Sequence, residues 1–114
     1  MKAVVLGQAD NGKAVDIKQG QTLSIQLPEN PTTGFRWEID SVNAGCSEGS
    51  EIIIIESSLY TPNPHTGLGG GGERSIVCKG RRIGTTQLNL KLWQSWEGNA
   101  SIVERYSLTI RVDG

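Results

Sequence analysis

Thr22-Leu23-Ser24-Ile25-Gln26-Leu27-Pro28-Glu29-Asn30-Pro31-Thr32-Thr33-Gly34-Phe35-Arg36-Trp37-Glu38-Ile39-Asp40 is the stretch on which the fold turns. Leu23, Ile25 and Leu27 alternate with polar residues, and so do Phe35, Trp37 and Ile39. Period-two alternation marks strands with one face in a core and the other in water. Between them Asn30-Pro31-Thr32-Thr33-Gly34 has the composition of a tight turn: Pro31 fixes φ and restricts Asn30, the Asn and Thr side chains can bond their own backbone, and Gly34 permits a bend that a side chain would strain. A stiff polar loop thus joins two half-buried strands.

The same period runs outward in both directions. Met1 to Leu6 reads as a first strand with a turn at Asp10-Asn11-Gly12, and Val15 and Ile17 as a second. Ser41 to Ser50 reads as a connection. Glu51 to Glu56 brackets four isoleucines, a strand either buried on both faces or lying at a sheet edge with glutamates as gatekeepers. Thr61 to Gly72, with Pro62, Pro64, Gly67 and Gly69 to Gly72, reads as a long loop. Ile76 and Cys78, then Leu88, Leu90 and Leu92, then Tyr106, Leu108, Ile110 and Val112 alternate again, with Trp93 to Ser101 as a third loop. Seven to eight short strands with turns about every 8 to 12 residues make an all-β protein, a two-sheet sandwich in preference to a small barrel. At 114 residues the chain, 1–114, is expected to be a single domain that folds without a metal or disulfide.

Composition excludes several functions. Net charge is -1 and the basic residues are scattered, Arg81-Arg82 being the only adjacent pair, which argues against nucleic acid or a membrane surface as partner. No apolar run approaches the roughly 20 residues of a membrane-spanning helix. The apolar start breaks at Gly7, too soon for a signal-peptide core, so the expected compartment is cytoplasmic unless a signal sequence has been removed, and periplasmic or secreted if it has. Two cysteines, Cys46 and Cys78, and one histidine, His65, fall short of the about four ligands of a zinc site, and no metal or cofactor is expected. The cysteines either pair or remain two thiols, Cys78 half-buried in its strand.

No local pattern gives His65 a nucleophile to serve, and it reads as a solvated loop residue. Glu29 and Glu38 are a carboxylate pair whose separation the sequence does not give. The glycine run is no phosphate loop, because Glu73 and a strand follow it where a phosphate loop has Lys-Ser or Lys-Thr and a helix. It is either a linker or a stretch whose bare backbone can approach another protein closely. Of Trp93 and Trp96, one is expected in the core and the other exposed as an interface anchor. Asn99-Ala100-Ser101 matches the N-glycosylation pattern, a frequent chance match.

Asn30-Pro31-Thr32-Thr33-Gly34-Phe35, then a glycine-rich loop, then a tryptophan loop, resembles the chagasin-like family of cysteine-peptidase inhibitors, which carries an NPTTG-aromatic, a GxGG-type and an RPW-type motif in that order. The first motif is complete, Leu68 with Gly69, Gly70, Gly71 and Gly72 fits the second, and Gln94-Ser95-Trp96, preceded by Trp93, stands at the third. Glu104-Arg105-Tyr106 resembles the segment that opens the family's last strand.

The resemblance implies an immunoglobulin-like β-sandwich and, in place of an enzyme, a monomeric, reversible, competitive inhibitor of papain-like cysteine peptidases. It also implies a wedge of three adjacent loops, the first at the peptidase's catalytic centre, the glycine loop on the unprimed side of the cleft and the tryptophan loop on the primed side. The alternative is a non-inhibitory binding module of the same fold that recognises a carbohydrate or a partner protein. Gln94 and Ser95 replace the family's Arg and Pro, so the third loop is expected to be less preorganised than its relatives'.

Overall fold

The computed structural model describes residues 3–44, 52–62 and 71–114. Cys46, His65, Leu68, Gly69 and Gly70 lie outside the described residues. Within them are eight strands: β1 (Val4–Leu6), β2 (Ala14–Lys18), β3 (Thr22–Glu29), β4 (Arg36–Ala44), β5 (Ile53–Pro62), β6 (Gly72–Gly80), β7 (Gly84–Trp93) and β8 (Glu104–Asp113). They form two four-stranded sheets, ordered β1-β3-β6-β5 and β2-β8-β7-β4, as expected for the sandwich.

The alternating residues meet between the sheets. Leu23, Ile25 and Leu27 of β3 face Trp37 and Leu88, Leu90, Leu108 and Ile110 of the other sheet in one core cluster, each at most 1% exposed. Burial of one such side chain is worth about 1.5 to 3 kcal/mol. Trp37 meets Tyr106 edge-on with ring centroids 6.4 Å apart, and the Tyr106 hydroxyl donates to the Gly7 carbonyl at 2.8 Å. Cys78 is a free thiol, wholly buried rather than half-buried, and that burial, with the charge of Glu56, pushes its pKa up to about 12.

Three boundaries move. β4 continues to Ala44, because a bulge between Ile39 and Ser41 lets it stay paired with β7 beyond Asp40. β5 runs to Pro62 and β6 starts at Gly72, so Thr61, Pro62 and Gly72, read as loop, are paired backbone. Pro62 is tolerated there as the last residue of an edge strand. Of the two readings of the isoleucine strand, the edge is the one found: β5 is outermost in its sheet, with Ile53 3% and Ile54 38% exposed.

Register decides where the loops go. Glu29 at the end of β3 lies opposite Gly72 at the start of β6, and Gly72 lies opposite Pro62 at the end of β5. In the other sheet Arg36 at the start of β4 lies opposite Trp93 at the end of β7, and Leu92 opposite Glu104. The connections β3–β4, β5–β6 and β7–β8 therefore all leave from one end of the sandwich.

Candidate functional site

The β3–β4 connection is the central loop of that end. Pro31–Thr33 form one turn of 3-10 helix. The Asn30 side-chain oxygen accepts from the Thr32 backbone N–H at 3.1 Å and from its hydroxyl at 2.6 Å. The Thr33 hydroxyl donates to the Asn30 carbonyl at 2.7 Å and accepts from the Phe35 N–H at 3.3 Å. The side chains of the turn thus satisfy its own backbone, as its composition predicts. Gly34 follows with φ +82°, in the left-handed region that favours glycine. Thr32 and Thr33 are exposed at the tip.

The root of this loop is fastened across the two sheets. Glu29 is the last residue of β3, and its carboxylate accepts from the Trp37 backbone N–H at 2.7 Å; the Trp37 indole in turn donates to the Pro28 carbonyl at 3.0 Å. From β6 Arg74 grips the same carboxylate with Nε at 3.1 Å and Nη2 at 2.7 Å. Glu29 is thus a buried acid fully engaged by a bidentate guanidinium and a backbone donor, the arrangement in which a buried charge is tolerated. Its position was legible in principle, since it continues the inward phase of Leu23, Ile25 and Leu27 past Pro28. Glu38 is held separately, accepting from the Trp93 indole N–H, so Glu29 and Glu38 do not form an acid-base pair.

On one side of the central loop stands the start of β6. A Cβ added to Gly71 would lie 3.3 Å from the Glu29 carbonyl oxygen and 3.7 Å from the Asn30 Cβ. A Cβ on Gly72 would collide with the Thr61 carbonyl oxygen and lie 2.6 Å from the Tyr60 hydroxyl, a space only glycine fits.

On the other side stands the tryptophan loop. The Gln94 side-chain amide donates to the Thr33 carbonyl at 3.1 Å, and a Cβ on Gly34 would lie 2.5 Å from the edge of the Trp96 indole. Ser101, for which the sequence suggests nothing beyond a glycosylation pattern, closes this loop: its hydroxyl accepts from the Gln94 N–H at 2.9 Å and has the Gly98 carbonyl 2.7 Å away to donate to.

These contacts change one expectation. Neither Trp93 nor Trp96 is core. Trp93 shares the outward phase of Lys91, whose ammonium lies 3.4 Å from the centre of its ring, and is half-buried on the sheet's outer face; Trp37 is the core tryptophan. Trp96 is the exposed one, at 67%. Within the same loop Gln94 supplies a bond to the neighbouring loop and Ser101 braces its backbone, while Ser95 is exposed. An open groove of ≈ 500 Å³ lies among the loop roots, lined by Phe35, Leu92 and Val103 with Gly71 and Gly72. Among the described residues no group of His, Cys, Asp and Glu could hold a metal ion.

Residues 16–110 match the model of the Chagasin family peptidase inhibitor I42, a span that contains all three loops. The chain belongs to the chagasin family of peptidase inhibitors. It is 28% identical over 106 residues to Chagasin of Trypanosoma cruzi, covering 93% of this chain and 94% of that one. Its fold is shared with the cysteine protease inhibitor EhICP2 from Entamoeba histolytica, with TM-score 0.82 and 20% identity over 96% of this chain and 95% of that one. The fold is also that of PbICP-C, solved in complex with falcipain-2, with TM-score 0.63 and 16% identity over 99% and 100% of the two chains.

Proposed function

We propose that this protein is a reversible, competitive inhibitor of papain-like cysteine peptidases that fills the active-site cleft with its three adjacent loops. The observation that carries the reading is the placement of the central loop: Gly71 packs against Asn30 on one flank, and Gln94 and Trp96 pack against Thr33 and Gly34 on the other. A peptidase cleft is a groove, and an edge on which the central loop stands between the start of β6 and the tryptophan loop is suited to enter it. Family membership supports the inhibitor class, and PbICP-C, which shares the fold, is solved in complex with falcipain-2.

The central loop is the part for the catalytic centre. Its backbone groups are held by Asn30, Thr32 and Thr33 before any partner arrives, so little conformational entropy remains to be lost on docking. A loop fixed in this way also resists cleavage if it presents no carbonyl in attack geometry to the peptidase thiolate. The glycines offer bare backbone for close approach on one side of the cleft. Trp96 offers a large rigid apolar face on the other. The protein acts in this reading as one monomeric domain with no cofactor.

Titration of papain with the purified protein tests the proposal. Competitive inhibition at nanomolar concentration, reversed on dilution with the inhibitor recovered uncleaved, is the expected result. Full papain activity at micromolar protein would sink it and favour a non-inhibitory binding module.

A further inference from the structure

The three loops are unequal in how they are joined. The central and tryptophan loops touch through Gln94 and Trp96, and Gly71 packs against Asn30, whereas a side-chain ion pair is found on the glycine side, between two residues outside the loop motifs. Arg74, two residues into β6 from Gly72, crosses to Glu29, one residue before Asn30. Arg74 also has Ser58 at 3.4 Å from Nη1 and the Tyr60 ring centre 6.0 Å away, both on β5, the strand that enters the glycine loop. Glu29 in turn holds the Trp37 N–H on the far side of the central loop. One guanidinium and one carboxylate therefore connect both stems of the glycine loop to both stems of the central loop, with the two side chains 13% and 1% exposed.

We propose that Glu29 and Arg74 are positioning residues, whose buried pair registers the glycine-loop stems on the root of the central loop and thereby sets inhibitory strength; this rests on the inhibitor reading above. The chemistry favours a positioning part over simple stabilisation. A buried ion pair is a weak source of net stability, because desolvation offsets most of its attraction, and neutral groups of similar shape often replace it without loss. What neutral groups do not replace is the geometry of a planar fork on a planar carboxylate, which fixes distance and orientation together. That geometry sits where a displacement of the strand end moves Gly71 and Gly72 relative to Asn30.

The experiment compares the parent with the double variant Glu29→Gln/Arg74→Met, in which the introduced side-chain amide keeps an oxygen for the Trp37 N–H and the backbone ladder to β6 stays, while the side-chain tie to Arg74 is removed. Two quantities are read: inhibition of papain, and native-state hydrogen exchange at the Thr32, Thr33 and Phe35 amides, with Leu90 and Leu108 as core references. The expected result is inhibition weakened about ten- to hundredfold, the scale of losing charge-assisted hydrogen bonds. Exchange at the three loop amides accelerates while the core amides hold their protection. A pair that merely stabilised the fold would change loop and core protection together and leave inhibition by folded protein intact, and that outcome overturns the proposal. If the double variant does not fold, Arg74→Lys keeps the charge but loses the fork, and it is expected to shift the same loop amides in the same direction by less; unchanged loop exchange in it overturns the proposal. A parent that leaves papain active would end the inhibitor reading, and the exchange measurement would still decide the positioning of the loops.

Discussion

On its glycine side the central loop is rooted in a bidentate ion pair, the Glu29 and Arg74 side chains being 1% and 13% exposed; on its tryptophan side it meets a neutral amide from Gln94 and an indole that is 67% exposed. The first contact lies inside the sandwich, where removing one partner strands the other in a medium that cannot solvate it. The second lies at the surface, where water can take the place of whatever is removed. One flank is therefore intolerant of partial change and the other forgiving. The departures from the family's third motif, Gln94 and Ser95, fall on the forgiving flank.

The contrast is broken most directly by Arg74→Met alone, which leaves the Glu29 carboxylate buried with only the Trp37 N–H. Unfolding in urea should show a loss of about 3 to 5 kcal/mol. The double variant Glu29→Gln/Arg74→Met should recover most of it, because the stranded charge is gone. A single variant as stable as the parent would mean that water reaches Glu29, and the glycine flank would then be no drier than the other. Next in size is Trp96→Ala. The indole contributes little to the core, so the urea midpoint should stay within error of the parent, while binding to papain weakens by about 1 to 3 kcal/mol as for a truncated aromatic anchor. A fall in stability of comparable size would make Trp96 a structural residue and remove the reason for placing it at the interface.

The two flanks also differ in how far the sequence discloses them. Alternation located β3, β7 and β8 and their inward residues because a period-two pattern states directly which face is apolar. The internal bonding of Asn30 to Phe35 followed from the same local logic, since each partner lies within three residues of the other. Glu29 with Arg74 and Gln94 with Thr33 are 45 and 61 residues apart, and no local rule pairs them. Even so, Glu29 carried a signal: a carboxylate on the apolar phase of a strand must find a donor, and the phase of Ile76 and Cys78 extended backward reaches Arg74. Trp93 follows the inward-facing Leu92, so strict alternation puts it outward, onto Lys91 and Glu38; its size and apolar ring point the other way, toward the core. The ends of β4 and β5 were missed because pairing with β7 and β6 carries them past residues of low strand propensity.

The finest test of the contrast is Gln94→Ala. Gln94 contributes its backbone to the Ser101 brace and its side chain to Thr33, and only the second is lost on truncation. Thr33 is exposed, so its carbonyl can take a water in exchange. A neutral hydrogen bond is worth about 0.5 to 1.5 kcal/mol net, and the lower half of that range applies where water can substitute. The expected outcome is a loss of binding smaller than that of Trp96→Ala, an unmoved urea midpoint, and faster hydrogen exchange at Phe35, whose N–H is held through the Thr33 hydroxyl. Should Gln94→Ala weaken inhibition as much as Trp96→Ala does, the amide would be fixing the tryptophan loop as firmly as the ion pair fixes the glycine stems, and the two flanks would be alike in mechanism though unlike in burial.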